Sequence, residues 1–165
     1  MKRKLKIYLD TSVINFLFAD DAPEKKEVTI DFFENYLNEY EVYISQVVID
    51  EINQTNNIQR KNDLLEKINY YKLKFIPIGI NEEVIRLASI YLENKVLPEK
   101  SYTDSLHIAL SVVNEIDILL SWNYKHMANI NRKRKINLIS NKENYTKNLE
   151  IITPYEVLDY EISEE

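Results

Sequence analysis

Three acidic residues of this chain, Asp10, Glu51 and Asp104, stand where carboxylates could meet at the rim of a sheet, and Asn123 stands in a comparable place. Asp10 follows the short run Lys4–Leu9, rich in β-branched and aromatic residues, and precedes Thr11 and Ser12. That pattern reads as strand, then acid, then helix. Glu51, beside Asp50, lies about two turns into a helix that Ser45 can open after the strand-like Glu41–Ile44. Asp104 falls in the first turn of an amphipathic segment spanning 101–115, and Asn123 ends the strand-like Ile116–Trp122. In open parallel sheets ligands gather beyond the carboxyl ends of the strands. Asp10, Asn123 and the start of the Glu51 helix map to such ends, and Asp104, near a helix start, can face the same crevice.

What such a cluster could do follows from its donor atoms. The chain has no Cys, two His and one Trp, so disulfides and thiolate zinc sites are excluded and any metal must be held by oxygen. Mg²⁺ and Mn²⁺ are hard cations that suit carboxylates, and Mg²⁺ keeps waters that a substrate phosphate can replace. The formal net charge of -6 argues against a surface that attracts nucleic acid everywhere, because such binding leans on Lys and Arg. Any RNA contact must therefore be local. Part of the acidity is what a cation-binding cluster would contribute.

Several elements must position these residues. Val28, Phe32, Phe33, Tyr36, Leu37 and Tyr40 recur at helical spacing, which predicts an amphipathic helix over 28–40. The polar stretch 53–63 reads as a lead-in to a helix near Leu64–Tyr71, followed by the apolar run 74–80 and a helix around Glu82–Leu92. In the segment 101–115, Leu106, Ala109, Leu110 and Val113 form one stripe, while Asp104, His107 and Ser111 share a neighbouring face. A last strand and helix are expected in 149–160, and the basic run Asn131–Lys135 in a loop. Strands alternating with helices imply an α/β domain with a mostly parallel sheet, and no repeat or linker divides 1–165. No apolar run is long enough to span a bilayer, so the expectation is a cytoplasmic protein with no membrane partner.

Four segments, YLDTSVIN with Asp10, ISQVVIDEI with Glu51, YTDSLHIAL with Asp104 and ILLSWNYKH with Asn123, resemble in order and spread the successive motifs of PIN domains. The likeness is strongest to the VapC-like toxins of bacterial toxin-antitoxin pairs. It implies a three-layer α/β/α fold with a mostly parallel sheet of four or five strands. It also implies a ribonuclease in which Asp10, Glu51 and Asp104 hold Mg²⁺ or Mn²⁺. By the same resemblance Thr11, Ser12 and Asn15 support the first motif, and Ser121 orients the fourth. Hydrolysis would use a metal-activated water attacking in line and leave 5′-phosphate and 3′-hydroxyl ends. A small antitoxin is an implied partner, and a homodimer is the commonest assembly. Asn123 departs from the family's usual fourth acid; its amide can accept a hydrogen bond or reach metal through water, but carries no charge.

Plainer readings exist for each residue. Asp10 fits a helix cap, Asp50 and Glu51 fit a solvated surface pair whose inward member depends on register, and Asp104 gains from the helix dipole. His107 beside an apolar stripe fits a structural role. Trp122, Tyr124, Lys125 and His126 suit base stacking and phosphate contact, or ordinary packing. The run Arg132–Lys135 could meet RNA or an acidic partner, or be a solvated loop. Other enzymes with an acid after the first strand fit less well. A haloacid-dehalogenase-type phosphatase needs a second Asp where Ser12 stands, and a receiver-like module needs a late Lys where the sequence reads Ser121-Trp122-Asn123. The non-enzyme alternative is a PIN-like RNA-binding or interaction module with a weakened site.

Overall fold

Apolar residues on both sides of every central strand force helices onto both faces of the sheet, because a parallel sheet cannot leave either face in water. A computed structural model describes residues 3–98, 100–123, 127 and 129–163, without the side chains of 159–163. Its elements run β1 (Lys6–Leu9), α1 (Thr11–Asn15), α2 (Pro23–Asp31), β2 (Glu41–Ile44), α3 (Gln46–Asn53), α4 (Ile58–Tyr70) and β3 (Lys74–Phe75). They continue α5 (Glu82–Glu93), α6 (Tyr102–Val113), β4 (Ile118–Leu120), α7 (Ile130–Lys142), β5 (Glu150–Ile152) and α8 (Pro154–Ser163). The sheet has order β3-β2-β1-β4-β5, and every pairing is parallel.

Alternation along each strand divides the core in two. Tyr8, Leu119 and Ile151 join Leu87, Tyr91, Ile108, Leu110 and Ile136 of α5, α6 and α7 on one face. Ile7, Leu9, Ile118, Leu120 and Ile152 join Val13, Ile14, Phe32, Leu64 and Val157 on the other, where α1, α2, α4 and α8 pack. The result is the expected three-layer α/β/α arrangement. Order 3-2-1-4-5 makes the chain leave β1 toward one edge and return on the other side of it. The gap between the carboxyl ends of β1 and β4 is thus the switch point at which such sheets hold ligands.

Three expectations need correction. The helix expected over 28–40 begins earlier, at Pro23, whose fixed φ suits the first helical position. Beyond Asp31 the helical path changes to a π turn over Phe32–Tyr36 and a 3₁₀ turn over Leu37–Glu39. The polar stretch before Leu64 is partly helix: α4 starts at Ile58, because the Asn57 side chain accepts from the Arg60 amide and caps it. The run Asn131–Lys135 is not a loop but the first turns of α7. There Asn129 caps the amides of Asn131 and Arg132, and Lys and Arg are good helix formers.

With a single Gly in the chain, helix ends are made by other residues. Lys72, Lys95, Glu115 and Asn144 take positive φ just past α4, α5, α6 and α7. The next amide in each case bonds back to a carbonyl five residues earlier, Leu73 to Ile68, Val96 to Tyr91, Ile116 to Ser111 and Tyr145 to Ser140. This closes the last carbonyls of four helices, and Leu73, Val96 and Ile116 bury themselves as the pattern requires.

Candidate metal centre

Asp10 leaves β1 at its carboxyl end and its amide bonds to the Leu120 carbonyl, so β1 and β4 are joined up to the residue where the site begins. Its side chain caps α1, with Oδ1 accepting from the Val13 amide at 3.4 Å and from the Ser12 hydroxyl at 2.5 Å. Oδ2 accepts from the Ser121 hydroxyl at 2.5 Å. The two serines are held in turn, Ser12 Oγ by the Trp122 amide at 2.9 Å and Ser121 Oγ by the Asn123 amide at 2.9 Å. The backbone just past β4 thereby fixes both hydroxyls that hold Asp10. Cap and site residue are one side chain here, because a helix start and a carboxylate pocket both need an acid at a strand end.

Asp104 lies in the first turn of α6, and the Asn123 amide donates to its Oδ2 at 3.2 Å. The register of α3 separates the neighbouring acids. Asp50 points outward and takes a bond from Gln46, whereas Glu51 points inward and is half-buried. Glu51 Oε1 accepts from the Thr11 hydroxyl at 2.6 Å and meets His107 Nε2 at 2.6 Å. His107 is buried, and its Nδ1 lies 2.6 Å from the Tyr8 hydroxyl, which lies 2.6 Å from Ser45 Oγ.

The domain family follows from the match of its model. The PIN domain model matches residues 7–133, most of the chain and all of the segments carrying these acids. The chain belongs to the PIN domain family. Among solved structures it is similar to a chain of the crystal structure of VapBC2 from Rickettsia felis bound to a DNA fragment from their promoter. The TM-score is 0.54 at 16% identity, covering 90% of this chain and 98% of that one, a likeness of fold. No curated protein matches the sequence.

Within this PIN domain the acids have distinct electrostatic settings. Burial pushes the Asp10 carboxyl above its ordinary range; His107 and the hydroxyls of Ser12 and Ser121 pull it back, while Asp104 raises it further. Asp10 and Asp104 thus repel each other across the switch point. Glu51 is different: burial would raise it, but the bond and charge of His107 and the Thr11 hydroxyl outweigh that and hold it below the ordinary value. Tyr8 is raised by burial and by the charges of Asp10 and Glu51.

Among the described residues no three acidic or imidazole side chains form a ready-made cage. The donor chemistry nevertheless fits a hard divalent ion at Asp10 and Asp104. Both carry carboxylate oxygens, the first is disfavoured in its charged form by burial and by the second, and a cation between them would relieve both effects. Glu51 offers one oxygen, Oε2, that accepts no hydrogen bond among the described residues.

Of the other expected site residues, Thr11, Ser12 and Ser121 all give their hydroxyl hydrogens to the acids. Asn15, at the end of α1, is exposed and takes no part in these bonds. Lys125 and His126, with Tyr124, lie outside the described residues. Trp122 is buried, its indole N–H bonded to Thr29 Oγ1, so it packs rather than presents a ring for stacking. Sequence reasoning missed Tyr8 and Ser45. The only available signal for Tyr8 was a polar group on a largely apolar strand, two residues before the first acid.

Proposed function

We propose that this PIN domain is a metal-dependent endoribonuclease, acting as one domain over 1–165 and serving as the toxin of a toxin-antitoxin pair. The observation that carries the reading is the meeting of Asp10, bonded through both oxygens by serines, with Asp104 at the sheet's switch point in a chain of this family. Asp10, Glu51 and Asp104 would hold Mg²⁺ or Mn²⁺. Such an ion, when bound, supplies a water that is acidic enough to act at neutral pH and charge to balance the phosphate oxygens. The chain's own residues do the rest. Ser12 and Ser121 keep the Asp10 oxygens from rotating, Asn123 orients Asp104, and Thr11 orients Glu51. Lys125 and His126, next along the chain from Asn123, are the residues we assign to RNA contact.

The likeness to a chain of the VapBC2 structure supports a small antitoxin as partner, with a homodimer and a cytoplasmic location as the accompanying assignments. No helix of the described residues is long and apolar enough to cross a membrane. The test is RNA cleavage by purified protein with Mn²⁺ or Mg²⁺, compared with Asp104→Asn. The expected result is cleavage by wild type alone, with both proteins folded, and growth arrest when wild type is expressed without a partner. Asn123, an amide that donates to Asp104, favours one second reading, a weakened module that binds RNA. Equal RNA binding by both proteins, with no cutting by either, would establish that reading instead.

A further inference from the structure

A continuous hydrogen-bonded path leaves the first residue before α3 and returns to the same helix at Glu51. Ser45 Oγ lies 2.6 Å from the Tyr8 hydroxyl, Tyr8 lies 2.6 Å from His107 Nδ1, and His107 Nε2 lies 2.6 Å from Glu51 Oε1. Ser45 Oγ also accepts from the Val47 amide at 3.2 Å, which caps α3. A carboxylate only accepts, so Nε2 carries the hydrogen that points at Glu51 Oε1, while Nδ1 and the hydroxyls of Tyr8 and Ser45 share the remaining hydrogens of the path. Among the described residues no buried side-chain nitrogen or oxygen is left without a partner. The path crosses three elements, β1, α3 and α6, and its middle lies wholly in the core, with Tyr8 fully buried and the His107 side chain 3% exposed.

We infer that His107 is a positioning residue for the metal centre, fixed by Tyr8 and Ser45, which holds Glu51 through Oε1 so that Oε2 is the oxygen presented to the divalent ion. The inference rests on the reading of Asp10, Glu51 and Asp104 as ion-holding acids. Thr11 takes the same oxygen, at 2.6 Å, so two donors from different elements prevent the carboxylate from exchanging its oxygens. A glutamate has three rotatable bonds, and a half-buried one without such partners would sample several of them. Groups behind a ligand that fix its orientation are worth about 10–100-fold in metal affinity.

The experiment measures Mn²⁺ binding without RNA, by the loss of the free-ion electron paramagnetic resonance signal, for wild type, His107→Leu, His107→Gln and Tyr8→Phe. Melting is followed in parallel in chelator. Leu matches the imidazole roughly in volume and donates nothing, so affinity should fall about 10–100-fold. Gln can return an N–H to Glu51 and should recover most of that loss even where it melts no higher than the Leu variant. Tyr8→Phe keeps the ring and leaves Nδ1 without its hydrogen-bond partner; it should weaken binding in the same direction and serves if His107→Leu does not fold. Wild-type affinity in the Leu or Phe variant, or a Gln variant no better than Leu, would overturn the proposal. Wild type that binds no Mn²⁺ would instead overturn the reading of the site as a metal centre, and this inference with it.

Discussion

Replacing Asp10 by Asn should make the metal-free protein more stable and blind to divalent ions. Asp10 is 3% exposed, and burial is the largest influence on its carboxyl, raising it above the ordinary value. A raised folded-state value means that the ionised form opposes folding at neutral pH: its stabilising effect is complete below the unfolded value and lost as pH rises through the folded one. The amide of the Asp10→Asn variant would keep the shape of the carboxylate and lose its charge. Against that gain, the charge-assisted bond from Ser12, of about 1.5–3 kcal/mol, becomes a neutral bond of about 0.5–1.5 kcal/mol, and the bond from Ser121 must reverse, with the amide Nδ2 donating to Ser121 Oγ and the serine hydrogen turning away. The relieved desolvation is several kcal/mol. The balance is a stabilisation on the order of 1 kcal/mol, or about 2–4 °C in melting temperature for a chain of this size. Mn²⁺ at 100 times its dissociation constant should stabilise wild type by about 2.7 kcal/mol, a rise of roughly 5–10 °C, and leave Asp10→Asn unmoved. Thermal melts by circular dichroism, with chelator and with Mn²⁺, measure both quantities. A variant that melts below wild type in chelator would refute the electrostatic reasoning. One that keeps the Mn²⁺ shift would refute the assignment of Asp10 to the ion.

Two other perturbations probe the remaining acids. Asn123→Asp exchanges a donor 3.2 Å from Asp104 for a second carboxylate, so the metal-free variant should melt lower than wild type and regain the loss when Mg²⁺ or Mn²⁺ is added; melts with and without ion decide it. Glu51 is held below its unfolded value of 4.5, so it contributes stability above that pH that is lost as pH falls through the lower folded value. Melting temperatures from neutral pH into this acid range should therefore fall less steeply for Glu51→Gln than for wild type, and parallel curves would remove His107 and Thr11 as the cause.

Much of the site was legible because local chemistry serves two ends at once. Asp10 after an apolar strand, Ser45 before α3 and Asp104 in a first turn are where helices need oxygen acceptors or negative charge, and those strand ends are also where a parallel sheet opens its crevice. Family membership was legible in the four motifs and their order. Helix ends were harder, since Lys72, Lys95, Glu115 and Asn144 adopt a conformation that sequence rules look for in glycine. The basic run was misplaced because its charges say only that it is solvated, which an exposed helix such as α7 satisfies as well as a loop.

By itself the sequence determined the order of strands and helices apart from α7, which acids stand at strand ends, and that any metal must be bound through oxygen. Only the tertiary structure decided that Glu51 rather than Asp50 turns inward, because that depends on how α3 is rotated against β1 and α6. It alone joined Tyr8 to His107, 99 positions apart, and Ser121 to Asp10, 111 apart. Spacing along a chain carries no information about such pairs; they exist because five parallel strands bring the carboxyl ends of β1 and β4 side by side.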